Sequence, residues 1–166
     1  IYVDKEADLN IAKNVIFNSK MRRPGICGAT ETLLIDKTLS EKTPSLLQNL
    51  IEAECEIRGD AYVKSLNANF KKASKEDWGT EYLDKIISVK IVEGVQEAIH
   101  HINHYSSGHT ETIITQNLKT FQKTHVRPIQ LSDVLIVLAV GFGGAVFCQY
   151  LAKLIYEAVQ PGLMEM

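Results

Sequence analysis

"IISVKIVEGVQEAIHHI", residues 86–102, changes its period halfway along. Ile87, Val89 and Ile91 alternate with Ser88 and Lys90, the two-residue period of a β-strand. Then Val95, Ala98, Ile99 and Ile102 fall at i, i+3, i+4 and i+7, the apolar stripe of an α-helix. A strand running straight into an amphipathic helix is half of a βαβ unit, whose strands pair in parallel.

The same alternation repeats on both sides. "IYVD" (1–4) reads as the end of a strand, and residues 6–19 as a helix with Leu9, Ala12, Val15 and Ile16 on one face. Asp4, Glu6 and Asp8 favour the helix N-terminus, and "RRPG" (22–25) breaks the helix. Thr32–Ile35 is a short apolar run, expected to be a buried strand. "EKTPSLLQNLIEAE" (41–54) predicts a helix with Thr43 as N-cap, Pro44 at the first helical position and Leu46, Leu47, Leu50 and Ile51 buried. "CEIRGD" (55–60) predicts a strand ending at Gly59, and residues 60–72 a short helix. After residue 102, "YSSG" ends the helix, "ETIITQ" (111–116) is a strand, and "NLKTFQKT" (117–124) a helix capped by Asn117. Residues 1–124 therefore predict an α/β domain with a mainly parallel sheet.

Residues 125–166 read differently. Val134–Leu151, "VLIVLAVGFGGAVFCQYL", carries no charge over 18 residues and predicts an apolar helical tail. A membrane-spanning helix needs about 20 apolar residues, so 134–151 is either a membrane segment or a helix packed on the domain.

Bulk composition narrows the function. The chain has 166 residues, 45% of them hydrophobic, enough for one domain with its own core. A net charge of −2 gives no basic excess for a nucleic-acid partner. Three widely spaced cysteines make neither a disulfide framework nor a metal motif, and fit a reducing compartment, the cytoplasm by default. No signal-peptide pattern opens the chain, and a start inside a strand, at Ile1, reads as a fragment of something longer.

Cys27 is the residue with chemistry to explain. Lys20, Arg22 and Arg23 precede it, Gly25 and Gly28 bracket it, and it falls on the turn between a helix and the next strand. Positive charge and a tight, mobile-capable backbone suit a thiolate nucleophile. On residue pattern alone, a lone cysteine is more often a small buried hydrophobe. Cys55 and Cys148 sit in apolar settings and read as inert. His100, His101 and His104 lie opposite the apolar stripe, which reads as a solvated helix face and not a metal site. Trp78 reads as a packing or interface residue.

"VIFNSKMRRPGICGATETLL" (15–34) resembles the active-site segment of the gamma-glutamyl phosphate reductases, members of the aldehyde dehydrogenase superfamily. Asn18, Lys20, Arg23, Pro24, Cys27, Glu31, Thr32, Leu33 and Leu34 match the pattern N-A-K-x-x-R-P-x-x-C-N-x-x-E-T-L-L. Asp77–Thr115 and "VDKEADLNIA" (3–12) resemble further stretches of that family, collinearly, over about residues 1–124. The resemblance implies a catalytic-domain portion in which Cys27 attacks gamma-glutamyl phosphate to leave a thioester, which NADPH reduces to glutamate 5-semialdehyde in proline biosynthesis. It implies Asn18, Arg23 and His109 as substrate-binding candidates. Lys20 and Arg23 either attract the substrate's phosphate or carboxylate, or hold the loop, the second being favoured. No metal is implied, and homo-oligomerisation is an open expectation.

The chain also departs from that family. Gly28 replaces the family's Asn, removing a side-chain donor beside the nucleophile. The cofactor-binding domain would precede Ile1, and no G-x-G-x-x-G follows a strand. Residues 125–166 show no relation to the family. The alternative is therefore a non-catalytic remnant of the enzyme, tethered to a membrane through 134–151.

Overall fold

In the computed structural model, residues 1–120 are described. Six strands form one sheet in the order β4-β3-β5-β2-β1-β6: β1 (Tyr2–Val3), β2 (Thr32–Asp36), β3 (Glu56–Gly59), β4 (Lys71–Lys72), β5 (Ile86–Val92) and β6 (Ile113–Ile114). Every pairing is parallel, with Leu33 beside Val89 and Tyr2 beside Leu34 at the centre. Four helices connect them: α1 (Leu9–Met21), α2 (Thr43–Glu52), α3 (Ala61–Leu66) and α4 (Gly94–Tyr105).

Both faces of the sheet are covered, as a parallel sheet requires. Val3, Leu33, Ile35, Ile57, Ile87 and Val89 point into one core with Ala12 and Ile16 of α1, Leu46, Leu47 and Leu50 of α2, and Val63 of α3. Tyr2, Leu34 and Val92 point the other way, onto Ala98 of α4. At the end of β1, the Tyr2 hydroxyl donates to Asp36 Oδ2 (2.9 Å), which ties β1 to β2.

Local differences from the sequence reading have local causes. α1 begins at Leu9 because the Asp8 carboxylate accepts from the N–H groups of Asn10 and Ile11. Thr43 does not cap α2. A 3₁₀ turn over Lys37–Lys42, capped by Asp36, runs into the helix and makes Thr43 its first residue, with the hydroxyl buried and without a partner among the described residues. The helix expected over 60–72 stops at Leu66, and the chain then turns to add β4 at the sheet edge. Ser88 is fully buried instead of facing water, because Tyr82 lies over it and bonds its hydroxyl (2.7 Å). Asn117 caps as expected: its Oδ1 accepts from the N–H of Lys119 (2.9 Å) and of Thr120 (3.4 Å). The tail over 125–166, its 134–151 stretch and Cys148 lie outside the described residues. Among the described residues no helix is long and apolar enough to cross a membrane.

Candidate active site

The segment between α1 and β2 is a ten-residue loop, 22–31, pinned at its base. Thr30 N–H donates to the Ser19 carbonyl (3.0 Å). Lys20 Nζ, fully buried, pairs with Glu31 Oε2 at 2.7 Å. At the tip, Ala29 N–H donates to the Ile26 carbonyl (2.9 Å), closing a turn whose central residues are Cys27 and Gly28. Cys27 is exposed. Neither the Cys27 nor the Gly28 N–H donates to a group among the described residues.

Cys27 opens on a cleft of about 360 Å³ at the N-terminal edge of the sheet. Thr30 and Glu31 share its side of the cleft, while Trp78, His101, Tyr105 and His109 belong to the rest of the lining. The structure thus places both Cys27 and His109 on the lining of one cleft. It does not bring Asn18 or Arg23 to them: Asn18 donates to the Asn14 carbonyl on the exposed face of α1, and Arg23 is exposed and does not line the cleft.

His101 corrects the sequence reading. It is only 5% exposed, with Trp78 edge-on to it at 5.4 Å and Tyr105 tilted against it at 4.7 Å between ring centroids. Burial pushes its imidazole down to about 4, and Lys90 adds to the shift. Its Nε2 is buried without a partner among the described residues. Ala98, His101, Ile102 and Tyr105 themselves fall at i, i+3, i+4 and i+7, so the stripe in α4 included His101 all along.

The Trp78 wall rests on a polar network that sequence reasoning missed. Arg58 on β3 pairs with Glu56 (2.7 Å) and with Asp77 (2.7 Å), and its guanidinium lies 5.0 Å from the centre of the Tyr82 ring. Burial alone would raise the Asp77 carboxyl. Hydrogen bonds from the Ser74 N–H, Arg58 and Tyr82 outweigh it and hold the group at about 2. Burial raises the Cys55 thiol to about 11, which agrees with its reading as inert.

The cofactor expectation can be tested on the cleft. Glu31, Glu81 and Glu111 line it and no Arg or Lys does, among the described residues. A dinucleotide's pyrophosphate needs cations or converging N–H groups. With three carboxylates and no side-chain cation, the lining of this cleft does not by itself fit the pyrophosphate of NADPH.

No protein-family model matches the chain. Over 123 residues, 74% of the chain, it is 50% identical to the gamma-glutamyl phosphate reductase of a Bradyrhizobium species. The gamma-glutamyl phosphate reductase of Thermotoga maritima superposes with a TM-score of 0.71 at 41% identity, over 74% of this chain and 30% of that one. An acetylating aldehyde dehydrogenase of Geobacillus thermoglucosidasius shares the fold at a TM-score of 0.54 and 19% identity, over 75% of this chain and 36% of that one. The chain spans 29% of the length of the Bradyrhizobium relative. Three quarters of this chain is thus homologous, in sequence and in fold, to a segment of gamma-glutamyl phosphate reductase.

Proposed function

We propose that residues 1–124 are the nucleophile-bearing part of a gamma-glutamyl phosphate reductase, with residues 125–166 a separate segment. One observation carries this reading: Cys27 stands exposed at the tip of a pinned turn and opens on a cleft, inside the segment homologous to that enzyme.

The Cys27 thiolate attacks the acyl carbon of gamma-glutamyl phosphate. A carbon–sulfur bond forms, the carbon–oxygen bond to phosphate breaks, and inorganic phosphate leaves with the electron pair. The N–H groups of Cys27 and Gly28, both without described acceptors, are the donors for the oxyanion that develops on the acyl oxygen. His109, in the same cleft, is a substrate contact. Asn18 and Arg23 remain candidates only for a substrate that extends beyond the cleft. Reduction of the thioester to the semialdehyde would need a hydride donor, for which the family resemblance implies NADPH. That cofactor must be held by residues other than those lining this cleft. A cytoplasmic, reducing setting keeps Cys27 a free thiol.

The test is the rate at which iodoacetamide alkylates Cys27 near neutral pH, in the full chain carrying Cys148→Ala. The reading expects a rate about tenfold or more above that of glutathione. A rate no higher than glutathione's would support the non-catalytic remnant.

A further inference from the structure

Glu31, which lines the cleft, joins two separate segments of the chain. Its Oε2 takes the ammonium of Lys20, which rises from the last turn of α1 and is fully buried. Its Oε1 accepts from the N–H of Leu83 (3.3 Å), in the segment that follows the cleft-lining residues Trp78, Gly79, Thr80 and Glu81. Leu83 has a backbone φ of +52°, a left-handed conformation that a branched residue adopts only when its surroundings hold it there. Its carbonyl lies 3.5 Å from where a Cβ on Gly25 would stand, so the loop bearing Cys27 packs against Leu83 a second time. A carboxylate whose side chain is 14% exposed, beside an ammonium that is wholly buried, is an expensive arrangement if all it does is hold the core together.

We infer that Glu31, oriented by Lys20, is a positioning residue: it fixes the Cys27 turn to the Leu83 segment and so sets where the nucleophile stands in the cleft. This rests on the reading of Cys27 as the nucleophile. Lys20 supplies the charge that keeps the Glu31 side chain extended over the loop base, and Leu83 supplies the anchor. Removing one partner leaves a buried charge and damages folding in general. Removing both charges together isolates the positioning role, because a buried pair replaced by apolar groups of similar size usually folds.

The experiment compares two double variants of the full chain, both carrying Cys148→Ala. Lys20→Met/Glu31→Gln keeps an acceptor for the Leu83 N–H, and Lys20→Met/Glu31→Met removes it. Two rates are read at equal folded fraction: tryptic cutting after Arg22, followed by mass spectrometry, and iodoacetamide alkylation of Cys27. The inference expects the Met pair to be cut about tenfold faster than wild type and its Cys27 rate to fall to that of glutathione, while the Gln pair stays within about threefold of wild type on both. It is overturned if the Met pair matches wild type on either rate, or if the Gln pair fails as badly as the Met pair. Should the Met pair not fold, Glu31→Asp is read by the same criteria, since it keeps a charge for Lys20 but is too short to reach Leu83 as well. A wild-type Cys27 rate no faster than glutathione's would sink the nucleophile reading instead, and the tryptic rates would then decide the clamp alone.

Discussion

The Trp78 ring stands edge-on to His101, with planes at 82° and centroids 5.4 Å apart. The contact joins the loop over β3 and β5 to α4, and it leaves His101 neutral in the folded protein. The folded imidazole titrates near 4, below its ordinary value of 6.5. In the unfolded chain it takes up a proton as the pH falls through 6.5, so the unfolded state binds more protons over this window. The contribution of His101 to stability is complete above pH 6.5 and is lost progressively down to about 4. Urea melts at pH 7 and pH 5 should differ, and His101→Phe should remove on the order of 2 kcal/mol of that difference. An unchanged difference in His101→Phe contradicts the assignment. The groups facing His101 are Lys90, Glu97, His100 and His104.

Trp78 is the chain's single tryptophan, so its fluorescence reports on the cleft wall alone. Arg58→Met leaves the buried Asp77 carboxylate without its ion pair and frees Tyr82 from its cation. A loss of about 2–4 kcal/mol is expected, with a red-shifted Trp78 emission in the native state. Emission identical to wild type would mean that the network does not hold the wall.

Gly59, the last residue of β3, has no room for a side chain. A Cβ there would lie 2.5 Å from both Cβ and Cγ1 of Val63. Gly59→Ala should cost about 1–3 kcal/mol in a denaturant melt, through displacement of α3. A neutral result would show that α3 is free to move.

Gly28 is the opposite case, since no atom lies within 4 Å of where its Cβ would be. Gly28→Asn should leave stability unchanged or raise it by up to about 1 kcal/mol, by restricting the unfolded chain. It should also add a donor beside Cys27, and a gain of about tenfold or more in acyl transfer is the expected readout. A drop in both stability and transfer rate would refute the open-space argument.

The fold was legible where burial sets the period. Thr32–Ile35 reads as an apolar run because both faces of β2 are covered, and the change of period at residues 86–102 marks β5 and α4 as the structure has them. It was less legible where polar residues are buried by a loop that no periodicity announces. The alternation at Ser88 gives no sign that Tyr82 and Asp77 bond its hydroxyl and bury it. His101 reads as solvated when the stripe is drawn through Val95, Ala98, Ile99 and Ile102, but the buried face of α4 runs through Ala98 and His101. In the site, residue types around Cys27 showed a bent, positively charged approach. They could not show that Lys20 turns inward to Glu31, because that pair forms only when the loop folds back over α1.

The most direct measurement of the central claim is capture of the acyl group. The full chain, with Cys148→Ala, is mixed with acetyl phosphate as a stable acyl phosphate, quenched in acid and digested, and the peptide containing Cys27 is weighed. The account predicts an acetyl thioester on Cys27, release of one phosphate per acyl group, and neither in Cys27→Ser. Phosphate release without a Cys27 adduct, or an adduct that persists elsewhere in Cys27→Ser, would contradict it.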